Sequence, residues 1–295
     1  MRILVTGRDG QVARSLAERG AGHPGLELVF AARPDCDLAQ PGTAAACIAR
    51  VKPDLVINAA AYTAVDKAET EEELAFRINA EGAGEVATAA ATVGAPVIHL
   101  STDYVYDGTG DVPLTEDLPI APLGAYGRTK AAGEDKVRAA NSDHLVLRTA
   151  WVHSPFGANF AKTVLRLASY RDEIGVVADQ HGSPTSALDL AHVILSLAAR
   201  RLSGDASGWG QTYHAAGSGE ARWAQVAQAV MDEAARHGAP TATIRPIATA
   251  DYPTPAARPT WSVLNSGKLE RSFGLRMPHW RDAVAEVVGR LVARG

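Results

Sequence analysis

Tyr126 and Lys130 are the two side chains whose types and spacing most directly suggest chemistry. On a helix, residues four apart lie on one face, one turn from each other. A phenol alone is a poor acid or base near neutrality, because its pKa is about 10. A nearby ammonium favours the phenolate, so we expect it to lower that pKa and let the pair exchange a proton with a carbonyl or hydroxyl oxygen. The same spacing alone also fits an ordinary, partly exposed helix face.

A glycine loop near the N-terminus predicts a nucleotide site. Residues 2–6 form a β-rich run, Gly7 and Gly10 mark a turn, and residues 11–19 carry apolar side chains at helical spacing. In such a unit Gly7 allows the tight turn and Gly10 lets the backbone approach a pyrophosphate, while the helix N-terminus presents free N–H groups to the phosphates. Ala13 occupies the third small position and still permits close packing. The order strand, glycine loop, helix therefore favours a dinucleotide.

The end of the second predicted strand indicates which dinucleotide is bound. NAD-binding loops commonly place an acid there for the ribose hydroxyls. In this chain residues 30–33 read Phe-Ala-Ala-Arg, so no acid stands at the tip, and Arg33 is placed to meet a 2′-phosphate. A solvated surface arginine is the alternative interpretation. Asp37 and Leu38 follow in a loop where an adenine would fit. We predict NADPH as the cofactor, with NADH possible.

Three further stretches are expected at the same end of the sheet. Small side chains at residues 58–61, after the third strand, leave room for a flat cofactor. After the fourth strand, Ser101 or Thr102 offers a hydroxyl to a substrate oxygen, and Asp103 offers a carboxylate to a sugar hydroxyl. The helix with the Tyr–Lys pair begins next. Because ligands of open parallel sheets bind outside the carboxyl ends of the strands, these stretches converge on one crevice.

Regular alternation of strands and helices predicts the fold class, a doubly wound parallel α/β sheet of the Rossmann type with a smaller mixed α/β substrate-binding part. The predicted strands of the first half are 2–6, 26–32, 54–58, 96–101 and 144–148, and its helices are 11–19, 43–51, 71–93 and 125–140. In the second half we predict helices 158–170, 186–200, 222–237 and 280–293, strands 173–178 and 212–216, and an ordered loop over 240–259. Residues 1–150 are expected to bind the dinucleotide and residues 151–295 mainly the substrate, with the strand near 212–216 returning to the main sheet.

Composition excludes several function classes. The net charge of −4 gives no reason to expect nucleic-acid or membrane-surface binding, and no apolar run reaches spanning length. Two cysteines without ligand spacing fit a reducing compartment, and a first strand beginning at residue 2 leaves no room for a signal peptide, so we expect a cytoplasmic protein. The histidines show no metal-ligand spacing, and we predict no metal site. His181 and Arg258 are instead candidates for contacts with sugar or nucleotide.

The order of these motifs carries a family resemblance. Gly7, Gly10 and Ala13, then residues 101–103, then Tyr126 and Lys130 make the chain resemble the extended short-chain dehydrogenase/reductase superfamily. Longer stretches narrow the resemblance to the dTDP-4-dehydrorhamnose reductase family, and the resemblance runs over nearly the whole chain. The stretches that carry it are residues 58–69, 101–108, 148–152, 159–163 and 179–185, with Arg258-Pro259, Ser262, Leu264 and Phe273-Gly274.

The resemblance implies that NADPH or NADH delivers hydride to C4 of a dTDP-4-keto-6-deoxy-L-sugar. It implies Tyr126 as proton donor, Lys130 as the ligand of the nicotinamide ribose and Thr102 as the partner of the reacting oxygen. Asp103 and Trp151 would contact the sugar. Cofactor contacts would come from the glycine loop and from the loop after the third strand: Gly7, Gly10, Gln11, Val12, Ala60, Ala61 and Tyr62.

The chain also departs from the family pattern. Some members carry an acid in the first helix and another near residue 188, and bridge two subunits with magnesium. Here the corresponding first-helix residues are Arg14 and Ser15, and Glu18 and Asp189 lie off the matching positions. We therefore do not expect a magnesium-bridged dimer, and leave monomer or homodimer open.

Three rival functions remain at this stage. One is a 4-ketoreductase for another dTDP-deoxysugar, since sugar stereochemistry is read by loop geometry. Another is a non-catalytic NADP-binding regulatory subunit on the same fold, although such proteins usually lose part of the Tyr/Lys pair. The third is a nucleotide-sugar epimerase that keeps its cofactor tightly bound.

Overall fold

A computed structural model describes residues 1–293 of the chain. Its strands are β1 (Arg2–Thr6), β2 (Glu27–Ala31), β3 (Leu55–Asn58), β4 (Val97–Thr102), β5 (His144–Thr149), β6 (Val152–His153), β7 (Glu173–Val177), β8 (His181–Gly182), β9 (Thr185–Ser186), β10 (Gln211–His214), β11 (Ala221–Arg222) and β12 (Thr243–Ile247). Its α-helices are α1 (Gln11–Gly20), α2 (Thr43–Val51), α3 (Val65–Ala68), α4 (Glu72–Phe76), α5 (Ala83–Thr92), α6 (Ala125–Ala140), α7 (Phe160–Ala168), α8 (Ala187–Leu202), α9 (Trp223–Arg236), α10 (Gly267–Phe273) and α11 (Trp280–Val292). A π-helical segment spans Arg77–Gly82, and short 3₁₀ helices span Asp103–Val105 and Thr249–Asp251.

The main sheet has six parallel strands in the order β10-β5-β4-β3-β1-β2. Every residue of β3 and β5 is buried, as expected for a parallel sheet covered on both faces. Helices α1 and α8 cover one face, and α2 and α5 cover the other. The doubly wound fold class is therefore confirmed.

The strand order reverses beside β1, which places a crevice at the carboxyl ends of β1, β3 and β4. From β1 the chain crosses to β2 at the edge and returns to β3 on the opposite side. Thr6 is in register with Asn58, and Thr102 with Thr149, so the strands end at one level. This switch point is where ligands bind in open α/β sheets.

The second half adds one strand to this sheet and builds a smaller cluster of its own. β10 pairs in parallel with β5, and helix α8 packs on the main sheet beside α1. Helices α7, α9 and α11 enclose a separate apolar core with β7. Within residues 1–293, no helix is long and apolar enough to cross a membrane.

Two predicted elements were wrong in detail. The predicted 71–93 helix is helical without interruption over residues 72–92, but Arg77–Gly82 within it are π-helical, because apolar periodicity alone does not reveal one extra residue per turn. The predicted loop over 240–259 contains β12, which pairs in parallel with β7. Pro246 argued against a strand, but it is tolerated in a two-stranded sheet, where a missing N–H faces no third strand.

Candidate active site

The first turn of α6 is held tightly against its neighbours. The Glu69 carboxylate accepts a hydrogen bond from the Ala125 N–H at 2.9 Å, which satisfies one free donor of the helix N-terminus. At Gly127 a Cβ would lie 2.1 Å from the Tyr104 carbonyl oxygen, so only glycine allows this approach. Tyr126 is thereby fixed at the second position of the helix, facing the end of β4.

Tyr126 is partly buried and packs edge-on against Tyr104, with ring centroids 5.5 Å apart. Burial raises the pKa of Tyr126 to about 12; the Thr102 hydroxyl acts in the opposite direction, and the Asp103 charge adds to the rise. The sequence-based expectation of a lowered pKa was therefore wrong for this structure, because desolvation of the phenolate dominates. The phenol stays protonated at neutral pH.

Lys130 lies one turn further along α6 and is almost fully buried. Its ammonium donates a hydrogen bond to the Leu100 carbonyl oxygen at 2.7 Å. Burial lowers the pKa of Lys130 to about 8, and the negative charge of Glu134 partly counteracts this. An ammonium has three donors, so Lys130 retains capacity for a ligand beside Tyr126.

Thr102 and Asp103 end β4 next to the Tyr126 phenol. The Thr102 hydroxyl donates to Asp103 Oδ1 at 2.9 Å and accepts from the Tyr104 N–H at 3.2 Å. Asp103 is 2% exposed, and burial raises its pKa to about 6 against the opposing effects of the Ser262 and Thr102 hydroxyls. Its Oδ2 accepts no hydrogen bond of good geometry from the protein. Ser101, the other candidate hydroxyl, donates to Glu134 at 2.6 Å, whereas the Thr102 hydroxyl interacts with the Tyr126 phenol, so Thr102 is the hydroxyl on the crevice side.

The glycine loop lies at the same edge of the sheet. Gly7 has φ +79°, and a Cβ there would be 3.0 Å from the Cα and N of Ala60. Gly10 caps α1 with extended backbone and no side-chain cap, which leaves the first-turn N–H groups of Gln11 and Val12 without an intrahelical acceptor. These features fit a pyrophosphate, because they combine free donors with a cradle that any larger side chain would fill.

Gln11 ties the glycine loop to the second half of the chain. Its Oε1 accepts hydrogen bonds from the Ser154 hydroxyl at 2.8 Å and from Asn159 Nδ2 at 3.0 Å. Its Nε2 donates to the Val152 carbonyl at 3.3 Å. Ser154 and Asn159 were not predicted as site residues; the stretch 159–163 had carried the family resemblance only.

The loop after β3 is fixed by a residue that sequence analysis missed, Asn79. The Thr6 hydroxyl accepts from the Ala60 N–H at 3.0 Å, and Asn79 Oδ1 accepts from the Tyr62 N–H at 2.8 Å. Asn79 also donates to the Thr129 hydroxyl at 3.1 Å, next to Lys130. The π-helical segment thus turns one buried amide toward both the loop with Ala60, Ala61 and Tyr62 and helix α6.

The residues predicted to select the cofactor follow β2. Arg33 is exposed, two residues beyond the strand end. Asp37 Oδ1 accepts a hydrogen bond from the Ala39 N–H at 3.0 Å. Leu38 is buried, and a Cβ built at Gly82 would lie 2.7 Å from the Leu38 Cβ. Leu38 therefore anchors the loop after β2 to the π-helical segment.

Trp151 stands where the two halves meet, with a backbone conformation that is unusual for a non-glycine residue. Its φ is +46°, in the left-handed region. Its indole stacks on Trp223, with centroids 3.6 Å apart and planes 8° apart. A Cβ at Gly182 would lie 2.3 Å from the same ring. Trp223, which begins α9, was not recognised from the sequence because its neighbour is distant along the chain.

Arg258 and His181, the remaining candidates, are each paired with an acid. Arg258 donates to Asp66 Oδ2 at 2.7 Å, which joins the loop before residue 259 to α3. His181 Nδ1 lies 2.6 Å from Glu220 Oε1, and its ring stacks on Trp261. In the part of the chain that the structure describes, no group of three or more His, Cys, Asp or Glu side chains is arranged to hold a metal ion.

Comparison with known proteins decides the family. The family model described as the RmlD substrate binding domain matches residues 1–293. A dTDP-4-dehydrorhamnose reductase from Sinorhizobium fredii is 45% identical over 295 residues, covering 100% of this chain and 99% of the relative. The chain belongs to the dTDP-4-dehydrorhamnose reductase family.

Other members of the family agree in sequence and fold. The dTDP-4-dehydrorhamnose reductase of Escherichia coli K12 is 41% identical, with 99% of this chain and 98% of the relative covered. The solved reductase from Clostridium acetobutylicum is 36% identical, with a TM-score of 0.91 and 99% of each chain covered. The one from Bacillus anthracis, solved in complex with NADP, is 32% identical, with a TM-score of 0.90 and 98% and 99% covered. Membership in this family confirms the predicted resemblance and the prediction of an oxidoreductase.

Proposed function

We propose that this member of the family reduces the C4 ketone of dTDP-4-dehydro-L-rhamnose with NADPH, giving dTDP-L-rhamnose. The observation that carries the proposal is the convergence of Tyr126, Lys130 and Thr102 on the crevice that also holds the glycine loop. A ketone reduction needs a hydride donor and a proton donor at one carbonyl, and this crevice has a place for each. The relatives named as reductases of this sugar support the choice of substrate.

The chain's own residues fit a bound dinucleotide. Gly7, Gly10 and the first-turn N–H groups of Gln11 and Val12 would hold the pyrophosphate. Arg33 would pair with the 2′-phosphate, and Asp37 and Leu38 would border the adenine. Ala60, Ala61 and Tyr62 would line the path toward the nicotinamide ribose, which Lys130 would hold. When bound, NADPH supplies the hydride.

Tyr126 would supply the proton. Because burial raises its pKa to about 12, Tyr126 is a neutral phenol at the pH of the reaction and is ready to donate. An alkoxide is a stronger base than a phenolate, so transfer from Tyr126 to the C4 oxygen is favourable. The Lys130 ammonium would stabilise the phenolate that remains. The single proton of the Thr102 hydroxyl would turn from Asp103, its acceptor in the ligand-free protein, to the C4 oxygen.

The second half would select the sugar nucleotide. We assign cofactor binding mainly to residues 1–150 and substrate binding mainly to residues 151–295. Asp103, with one oxygen that accepts no hydrogen bond of good geometry from the protein, would accept from a sugar hydroxyl. Trp151 would offer its indole to the sugar ring, and Arg258 would meet the nucleotide part. The cytoplasmic location, the absence of a magnesium bridge and the choice between monomer and homodimer stay predictions.

The test is NADPH oxidation with enzymatically generated dTDP-4-dehydro-L-rhamnose. Tyr126→Phe should lower kcat by about 10²–10⁴-fold, because it removes the general acid and leaves the ring in place. Tyr213→Phe is the matched control: it deletes the same hydroxyl from a buried tyrosine of the edge strand β10 and should retain most of the rate.

The same assay separates the rival functions. A wild-type protein that binds NADPH but leaves this sugar unreduced would refute the proposal. Turnover with another dTDP-4-keto sugar in a panel would then assign a different ketoreductase. NADPH binding without turnover on any sugar would indicate a regulatory protein, and interconversion of sugars without net NADPH consumption would indicate an epimerase.

A further inference from the structure

A buried ion cluster lies directly behind the proposed catalytic lysine. The Glu134 carboxylate is 0% exposed and accepts from Arg148 Nε at 2.8 Å and Nη2 at 2.7 Å. It also accepts from Arg138 Nη2 at 2.5 Å and from the Ser101 hydroxyl at 2.6 Å. All its lone pairs are therefore engaged, as a buried carboxylate requires. The cluster joins α6 to β4 and β5.

Glu134 stands one helical turn after Lys130, on the same face of α6. Lys130 makes no direct ion pair within residues 1–293, and its one hydrogen bond to the protein goes to a carbonyl oxygen. On the sheet, the Lys130 charge acts on His99 of β4, and Arg148 of β5 binds the Glu134 carboxylate. Burial, followed by the charge of Lys130, lowers the pKa of His99 well below its usual value, so His99 stays neutral.

Glu134 is the buried acid that balances the cations of this region, since the other neighbouring acid, Asp135, meets Arg138 at 2.8 Å with a side chain that is 76% exposed. Lys130, Arg138 and Arg148 are cations, and Glu134 is the acid between them. Burial would raise the pKa of Glu134, but hydrogen bonds and charge from Arg148 outweigh it and hold that pKa below its usual value. Glu134 is thus ionised wherever the protein is folded at neutral pH.

We propose that Glu134 is a positioning residue for the reduction: its buried carboxylate supplies the negative charge, one turn away, that keeps the Lys130 ammonium charged. Glu134 touches neither the crevice nor its proposed ligands and acts through Lys130. The inference rests on the proposed function, in which Lys130 must be an ammonium to hold the ribose and stabilise the Tyr126 phenolate.

The direction of the effect follows from the charges. The reaction needs protonated Lys130, so kcat should fall as pH rises through the lysine pKa, which is about 8 in the structure. Glu134→Gln removes the compensating charge and should move this alkaline limb to lower pH by about one unit. Arg138→Met removes a cation from the partly exposed end of the cluster and should move the limb to higher pH. Asp135→Asn is the matched control: it removes a neighbouring acid whose side chain is 76% exposed, and it should leave the limb in place.

The measurement is the pH profile of kcat for these three variants, together with NADPH affinity over the same pH range by cofactor fluorescence. The binding series needs no sugar, so it tests Glu134 even if the sugar proves to be the wrong substrate. A purely structural role would lower kcat and melting temperature without moving either pH profile, and would overturn the inference. If Glu134→Gln does not fold, Arg138→Met decides alone: an unshifted limb overturns the inference, and an upward shift supports it.

Discussion

Trp151 and Trp223 form a parallel indole stack, 3.6 Å between centroids, that joins the end of the main sheet to the start of α9. The two residues are far apart in the sequence, and the stack extends a packed group in which Phe160 lies against Trp223 with centroids 4.6 Å apart. Because Trp151 also holds a left-handed backbone, the stack fixes a strained residue at the point where the proposed sugar site begins.

Replacing Trp223 should therefore affect sugar binding although the residue was not predicted to touch the sugar. We expect Trp223→Leu to raise KM for the sugar nucleotide about tenfold and to leave KM for NADPH nearly unchanged, because a stacked aromatic pair contributes about 0.5–1.5 kcal/mol. Steady-state kinetics with each substrate varied in turn measures both values. Trp209→Leu changes a partly buried tryptophan beside Arg201, away from the crevice, and should change neither KM. Equal effects of the two variants would contradict the assignment.

Gly7 should be intolerant of any side chain for two separable reasons. Gly7→Ala should cost about 1–2 kcal/mol of folding free energy, because it places a side chain on a left-handed residue. Its Cβ would also crowd the backbone of Ala60. Gly94→Ala is a matched control, since Gly94 has φ +72° but nothing within 4 Å of a built Cβ. Gly94→Ala should lose stability in thermal melts from backbone strain alone and Gly7→Ala should lose more, because the contact with Ala60 adds to the strain. Only Gly7→Ala should weaken NADPH binding. Unchanged NADPH affinity in Gly7→Ala would remove the loop from the cofactor site.

Arg33 should set the preference between the two nicotinamide cofactors. Arg33→Ala removes a charge-assisted contact to the 2′-phosphate and should raise KM for NADPH about tenfold while KM for NADH stays constant. The ratio of kcat/KM for the two cofactors is the readout. Arg8→Ala, in the glycine loop, should change both cofactors by the same factor, because any contact there is with the shared pyrophosphate. A constant ratio in Arg33→Ala would make Arg33 a solvated surface residue.

Asp103 should destabilise the ligand-free protein above pH 6. Its pKa is raised from 3.8 to about 6 by burial, so folding favours the protonated form. The unfolded chain releases this proton near its usual pKa, and stability is lost as pH rises from there through about 6. Asp103→Asn should gain about 1–3 kcal/mol of unfolding free energy at pH 7.5 and lose this gain near pH 4.

The same variant should bind the sugar nucleotide less tightly, since an amide replaces the carboxylate oxygen that accepts no hydrogen bond of good geometry from the protein. Denaturant unfolding at the two pH values and KM at pH 7.5 together test the assignment. A stability gain that is equal at both pH values would show that charge is not its cause. An unchanged KM would separate Asp103 from the sugar.

Local patterns predicted much of the fold. Helices 43–51 and 125–140 were predicted with the bounds that the structure has, because their residue pattern is local and a glycine, Gly42 or Gly124, stands directly before each. Most pairings between distant segments were not predictable in this way, although the strand near 212–216 was expected in the main sheet and pairs there with β5 as β10. The pairs β6–β9 and β8–β11 involve two-residue strands, which have no periodicity, and β12 depends on β7 some seventy residues earlier in the chain.

The residues of the candidate site show the same difference between local patterns, which were predictable, and distant contacts, which were not. Tyr126, Lys130, Thr102 and the glycine loop were recognisable because their chemistry follows from residue type and spacing. Glu134, Asn79 and Trp223 were missed because their partners are brought near only by packing. The direction of the Tyr126 pKa was also wrong, since a sequence gives the nearby lysine but not the depth of burial that outweighs it.

The amide of Gln11 couples the binding of the cofactor to the binding of the sugar nucleotide. This side chain belongs to the helix that would receive the pyrophosphate, yet its hydrogen bonds go to Val152, Ser154 and Asn159 of the other half. A ligand that rigidifies either side therefore restrains both, and the second ligand loses less conformational entropy on arrival. Thermodynamic linkage makes this coupling reciprocal. NADPH should raise the affinity for the sugar nucleotide by the same factor as the sugar nucleotide raises the affinity for NADPH.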